Sequence, residues 1–330
     1  MEVIEIFKAI LFGILEGITE WLPISSTGHL ILLNEWVQFG ICDSEEKLAA
    51  FMEVYDVVIQ LGAILAVVIL FFKDIWPFGW GIAGSDEKNI AGSVETKTTD
   101  FAEKGNSASE KKEMKSSHIN RESWAVGKLL IFKDIIFLWL KIVVACIPAM
   151  IYGFLLDDWM EEKMAPYKAV IVAIMLVIVG IIFFIAENYY KDKQAKITEA
   201  DGLDYRIAFM IGIFQLVAAV LPGTSRSGAT IIGGLLLGLS RSAAAEFTFY
   251  LAIPTMFGAS LLKTVKFLAE GMVFTAPEIA ILLISSVTAF VVSIVVIRFF
   301  LSYIKKHDFK IFALYRMALG VIVLGYFLLR

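Results

Sequence analysis

Long apolar runs separated by short polar segments dominate this chain of 330 residues. Six of the runs approach the twenty or so residues that a helix needs to cross a bilayer. These six runs are 54–72, 135–156, 169–186, 243–262, 279–300 and 311–329. We therefore predict an all-α membrane protein with six transmembrane helices.

Two further apolar segments, 3–21 and 207–221, are too short or too charged to cross comfortably. Fifteen helical residues rise only about 22 Å, whereas the hydrocarbon core is about 30 Å thick. A proline follows or ends each segment, Pro23 in the first and Pro222 in the second. Because irregular backbone survives at membrane depth only inside protein or beside a wet cavity, we predict two re-entrant helix hairpins, 3–38 and 207–238.

The two hairpins belong to an internal repeat. Residues 12–16 align with 211–215 at a shift of 199, and Ser25 and Gly28 align with Ser225 and Gly228 at a shift of 200. A hairpin followed by three spans therefore occurs twice, in 1–190 and in 205–330. An odd number of spans makes such a repeat inverted, so the two hairpin tips are expected to meet near the midplane.

Composition and charge agree with a membrane location. The chain is 58% hydrophobic and only 19% charged, which excludes a soluble domain and gives no reason to expect a nucleic-acid partner. Most of the 29 Lys and Arg residues fall on one face, among which we count Arg316. The positive-inside rule makes that face cytoplasmic, with both termini outside the cell membrane.

Three further features do not alter these predictions of fold and topology. Glu2 and Glu5 replace the basic region of a signal peptide, so the N-terminal segment is expected to remain in the mature protein. Residues 79–127 form a polar insert, predicted to be cytoplasmic and disordered. Cys42 and Cys146 show no metal spacing and are assigned neither to a disulfide nor to a site.

The second hairpin contains a polar stretch, Leu221 to Thr230, inside an apolar segment. Pro222 ends a helix, and the serines after it can cap a new helix whose first amides bind anions. Arg226 adds a planar fork that grips two phosphate oxygens. The stretch therefore predicts a phosphate site; the alternative is a broken helix with a snorkelling arginine. The candidate binding residues are Ser225, Arg226, Ser227 and Thr230.

The first hairpin carries Glu16 and Glu20, four residues apart on one helical face. Two such carboxylates repel each other, and a divalent cation, Mg²⁺ or Ca²⁺, would relieve the repulsion and also neutralise phosphates. A solvated helix face is the alternative.

The same hairpin continues with Ser25, Ser26 and His29, which with Glu20 supply a nucleophile, an acid or base and an orienting carboxylate. The alternative is that His29 has only a structural role.

The first span opens with Asp56 and Gln60, one helical turn apart. Gln60 is a candidate substrate-binding residue if the two face the same cavity. A juxtamembrane acid and a packing amide explain them equally well.

Four motifs together resemble those of the membrane undecaprenyl-diphosphate phosphatases linked to bacitracin resistance. They are 16–20 (EGITE), 25–29 (SSTGH), 57–62 (VVIQLG) and 222–230 (PGTSRSGAT). The resemblance covers the chain except for the insert, which is longer than expected. It implies hydrolysis of a polyprenyl diphosphate lipid to the monophosphate and inorganic phosphate, with a divalent metal and a site open to the outer face.

By the same resemblance, Glu16 and Glu20 match the family's acidic motif, and Ser26 and His29 match its nucleophile and its acid or base. Ser225, Arg226 and Thr230 match the diphosphate clamp. The sequence does not choose between Ser26 and His29 as nucleophile, and Asp56 stands where the family usually has Glu.

A different class of protein shares this plan. Secondary transporters and lipid flippases are also built from inverted repeats with broken midplane helices, so transport is the alternative function. A scaffold acting through the insert is a third reading. The oligomeric state stays open, with a homodimer as one arrangement.

Overall fold

The computed structural model describes residues 2–80, 122–126, 129–191 and 193–329. Most of the described chain is α-helical. The helices are α1 Val3–Thr19, α2 Ser26–Trp36, α3 Glu45–Leu70, α4 Phe72–Ile75, α5 Lys133–Leu155, α6 Asp157–Met164, α7 Lys168–Tyr190, α8 Tyr205–Val220, α9 Arg226–Leu236, α10 Arg241–Ala269, α11 Ala276–Ile304 and α12 Lys310–Leu329.

The six predicted spans are confirmed. In the described chain, α3, α5, α7, α10, α11 and α12 are long and apolar enough to cross a membrane. The first span begins earlier than the apolar run, because α3 starts at Glu45 and its first turn is polar. Ser44 caps that start, its Oγ accepting a hydrogen bond of 3.2 Å from the amide of Lys47. The chain is a multi-pass membrane protein.

Two helices end close to Pro23 and Pro222, as the sequence predicts. The first short apolar helix, α1, ends at Thr19, four residues before Pro23, and α8 ends at Val220, two residues before Pro222. Each is followed by an 11-residue helix, α2 or α9. Proline lacks an amide donor and clashes with the preceding turn, so neither helix continues.

Residues 1–72 and 141–330 form one compact unit. Within it α12 packs along α7, α1 packs along α11, and α3 packs against both α11 and α10. Glycines permit the closest approaches: a Cβ added at Gly13 would lie 2.5 Å from the carbonyl oxygen of Ser285, and one at Gly62 would overlap the backbone of Ser286. The short helix α1 is therefore held firmly against a full span.

The described residues between 73 and 140 form a second compact unit, with a feature that hydropathy did not predict. Three strands, β1 Phe78–Trp80, β2 Ser123–Val126 and β3 Leu129–Phe132, make an antiparallel sheet in the order β1-β3-β2. Strands of three or four residues are too short for a clear alternation of apolar and polar positions. The predicted disorder of the insert falls mainly on residues 81–121, which lie outside the described residues.

Candidate active site

Two serines mark the turns that start α2 and α9. Ser25 has φ 72° and Ser225 has φ 69°, and they are the non-glycine residues with positive φ in the described chain. Side chains disfavour this backbone region by about 1–3 kcal/mol per residue. Such turns persist only when their surroundings fix them. The helices that begin at Ser26 and Arg226 therefore start in defined positions.

A buried ion pair joins the two turns. Nη2 of Arg226 lies 2.5 Å from Oε1 of Glu20, and both side chains are largely buried. The other carboxylate oxygen, Oε2 of Glu20, accepts a hydrogen bond of 2.9 Å from Oγ of Ser26. The guanidinium also donates to the carbonyl oxygen of Thr248, at 3.2 Å. Glu20 thus contacts both Ser26 and Arg226 directly, as a bridge between residues predicted separately at the two helix breaks.

The other hydroxyls at the second helix break form hydrogen bonds with the backbone. Ser227 Oγ lies 3.2 Å from the carbonyl oxygen of Glu20, and Ser225 Oγ accepts from the amide of Gly228 at 3.2 Å. Thr230 Oγ1 donates to the carbonyl oxygen of Arg226, at 2.9 Å. Ser227 and Thr230 are both buried. The predicted clamp residues thus differ: Arg226 presents charge to the site, and these hydroxyls fix the turn that carries it.

His29 contacts a residue that sequence reasoning missed. Its Nδ1 lies 2.8 Å from the carbonyl oxygen of Ser25, so Nδ1 carries the proton and Nε2 accepts from the hydroxyl of Tyr315, also at 2.8 Å. The two rings stack, with centroids 5.6 Å apart. Tyr315, and not Glu20, orients His29 in this structure. A tyrosine in an apolar span gives no local signal of such a contact.

Glu16 is fully buried beside this site. Neither of its carboxylate oxygens has a hydrogen-bond partner among the described residues. The charges of Glu20, Asp56 and Arg226 act on it. An ionised carboxylate that is buried without a partner is costly, so this position fits a cation or a proton. Across the described chain, no three His, Cys, Asp or Glu side chains are grouped to hold a metal ion.

The remaining predicted residues lie at the margin. Gln60 is half-buried on α3, one turn after Asp56, and no hydrogen bond among the described residues joins it to the other predicted site residues. Asp56 Oδ1 is buried without a hydrogen-bond partner in the described chain, as is Ser25 Oγ.

The prediction for Arg316 is wrong. The sequence alone places it with the basic residues of the cytoplasmic face, but the structure buries it completely within α12. It donates to the carbonyl oxygens of Pro23, Gly223 and Thr224, at 3.4, 3.1 and 2.8 Å. An ionisable residue inside an apolar span is a functional signal, and it could have been found on that ground.

These contacts define a class: a helical multi-pass membrane protein whose charged site is assembled at two helix breaks. The family model for bacitracin resistance protein BacA matches residues 9–322. Undecaprenyl-diphosphatase of Desulfitobacterium hafniense is 49% identical over 330 residues, covering 100% of this chain and 99% of the relative. Undecaprenyl-diphosphatase 1 of Clostridium acetobutylicum is 46% identical over 329 residues, covering both chains completely. The chain belongs to the BacA family of undecaprenyl-diphosphatases.

Proposed function

We propose that this chain is a hydrolase that cleaves undecaprenyl diphosphate to undecaprenyl phosphate and inorganic phosphate. The observation that carries the proposal is the contact of Arg226, Glu20 and Ser26, which places a phosphate-binding cation, a carboxylate and a hydroxyl nucleophile together. The relatives that match the chain over its full length are named for this activity. Transport alone does not require such a combination.

The proposal includes an inverted repeat with two re-entrant hairpins. Helices α2 and α9 have equal lengths and begin one residue after the matched serines. Gly13 meets the backbone of Ser285 in α11, and its repeat counterpart Gly212 meets the backbone of Ala145 in α5. Equivalent close contacts in both halves support a common ancestry. With an odd number of spans per half, the two hairpins enter from opposite faces, and both termini lie outside.

Arg226 binds the diphosphate in this proposal. Its guanidinium has five donors, and the contacts with Glu20, Thr248 and the sulfur of Met256 leave others for phosphate oxygens. Partial burial strengthens such bonds, because the surrounding dielectric is low. The first amides of α9 lie next to the guanidinium in sequence and provide further donors.

Ser26 is the nucleophile that the geometry favours. Its hydroxyl already donates to Glu20, so the carboxylate can accept the proton as Oγ attacks the terminal phosphorus. The bond to the bridging oxygen breaks, undecaprenyl phosphate leaves, and a phosphoserine forms. Water then attacks this phosphoserine, releasing inorganic phosphate, and Glu20 returns the proton to Ser26. His29 is the alternative nucleophile, but Tyr315 occupies its Nε2.

Glu16 and Glu20 would hold the divalent cation, and Glu20 would share with it the oxygens that contact Arg226 and Ser26. Glu16 fits this role because its buried oxygens have no other partner in the described chain. When bound, such an ion supplies charge neutralisation for the phosphate oxygens.

Phosphate release tests the proposal. Purified protein incubated with undecaprenyl diphosphate should release inorganic phosphate, and Arg226→Ala should abolish the release. Arg298 is an exposed arginine on α11, so Arg298→Ala is the matched control and should retain activity. A transporter or flippase would move the lipid in vesicles without releasing phosphate, and that result would replace the proposal.

A further inference from the structure

The buried guanidinium of Arg316 joins segments that are far apart in sequence. Its partners are the carbonyl oxygens of Pro23, in the first turn, and of Gly223 and Thr224, in the second. No carboxylate pairs with it in the part of the chain that the structure describes. Burying a cation without a counter-ion is costly, so these carbonyls must be held where their dipoles compensate the charge.

Broken helices explain why the carbonyls are available. The last turn of a helix leaves carbonyl oxygens without amide partners, and the proline in each turn removes a further donor. Nη2 donates to the carbonyl oxygens of Gly223 and Thr224, and Nη1 donates to that of Pro23. One side chain from α12 thereby satisfies the turns that precede Ser25 and Ser225.

The surrounding packing is shaped to this side chain. A Cβ added at Gly228 would lie 2.8 Å from Nη1 of Arg316. On the other side, a Cβ at Gly180 of α7 would lie 3.1 Å from Cγ of Arg316. The arginine is therefore enclosed at its tip and along its stem, and it cannot move without displacing neighbours.

We propose that Arg316 is a positioning residue for the hydrolysis: it fixes the spacing of the two turns, and hence of Ser26 and Glu20 relative to Arg226. This inference rests on the proposed phosphatase function. Arg316 donates its hydrogen bonds to backbone carbonyls of the turns, whereas the ion pair of Glu20 and Arg226 joins the side chains that they carry. A shift of about 1 Å in reacting groups costs roughly 10²-fold in rate. Loss of the hydrogen bonds from Arg316 should therefore affect turnover more than binding.

Arg316→Met is the first test, with Arg298→Met as the control at an exposed position. We expect Arg316→Met to lower kcat about 10²-fold while KM changes less than about threefold, and Arg316→Lys to recover part of kcat because it retains donors. Melting temperature and gel-filtration profile verify that each variant is folded. Wild-type kcat in folded Arg316→Met, or an equal loss in the control, would overturn the inference.

A second variant covers the case in which Arg316→Met does not fold. Gly228→Ala keeps the guanidinium but forces it to shift, because the new methyl group lies within 3 Å of it. We expect reduced kcat in folded Gly228→Ala, and an unchanged kcat would overturn the inference. If wild-type protein releases no phosphate, the proposed function fails instead, so the two failures are distinguishable.

Discussion

Nη2 of Arg226 lies 2.5 Å from Oε1 of Glu20, although the two residues are 206 positions apart. The pair is largely buried, so each charge depends on the other. Removing one partner of a buried pair leaves an uncompensated charge, which typically costs about 3–5 kcal/mol in stability. This contact therefore serves both the fold and the site.

Glu20→Gln and Arg226→Met should each lower the melting temperature, while the double variant should be more stable than the sum of the single effects predicts. The reason is that the double change removes both buried charges together. All three variants should lose phosphate release, since catalysis needs the carboxylate and the guanidinium separately. Thermal unfolding in detergent measures the coupling, and strictly additive losses would show that the ion pair is not formed.

Ser26→Ala should lose phosphate release by roughly 10³-fold or more, because the nucleophile is absent. His29→Gln should retain a measurable rate, since His29 is not the nucleophile in this proposal. Incubation with diphosphate labelled at the terminal phosphate, followed by rapid quenching, should yield labelled protein for wild type and none for Ser26→Ala. Label retained in Ser26→Ala but lost in His29→Gln would reverse the assignment.

Tyr315→Phe should lower kcat by up to about tenfold, because one hydrogen bond worth about 0.5–1.5 kcal/mol no longer fixes the His29 ring. The phenyl ring keeps the stacking contact. Tyr326→Phe on the same helix is the control, since Tyr326 packs edge-on against Trp36 and lies away from His29. Equal kcat in wild type and Tyr315→Phe would show that the hydroxyl has no role in turnover.

Cys42 provides a test of the loop between α2 and α3. Burial, together with the thiol hydrogen bond to Glu278, raises the pKa of Cys42 to about 11. The reactive thiolate is therefore scarce near pH 8 and increases as the pH rises toward 11. In a Cys146→Ala background, maleimide labelling at pH 8 should be about 10²-fold slower than for an ordinary thiol peptide. Labelling at the peptide's rate would contradict the described packing.

Much of this molecule could be predicted because its signals are local. Span length, proline breaks and the charged motifs at Glu16 to His29 and at Arg226 all lie within short windows of sequence. The repeat then indicated that the two motifs meet. Their contact through Glu20 and Arg226 agrees with that expectation.

What could not be predicted depends on long-range packing. The contact of His29 with Tyr315 spans 286 positions, and that of Pro23 with Arg316 spans 293. Both partners come from α12, whose apolar run indicates only a span. The three short strands at the ends of the insert were missed for a different reason, since three or four residues carry too little periodicity.

The turns at Ser25 and Ser225 also have an electrostatic consequence. Each begins a helix, and each helix carries about half a positive charge at its N-terminus. The bonds from Arg316 hold both turns within reach of one guanidinium, so two positive dipole ends face a common region. The two dipole ends repel each other. An anionic ligand removes that repulsion, so pyrophosphate should raise the melting temperature of the protein even when no turnover occurs.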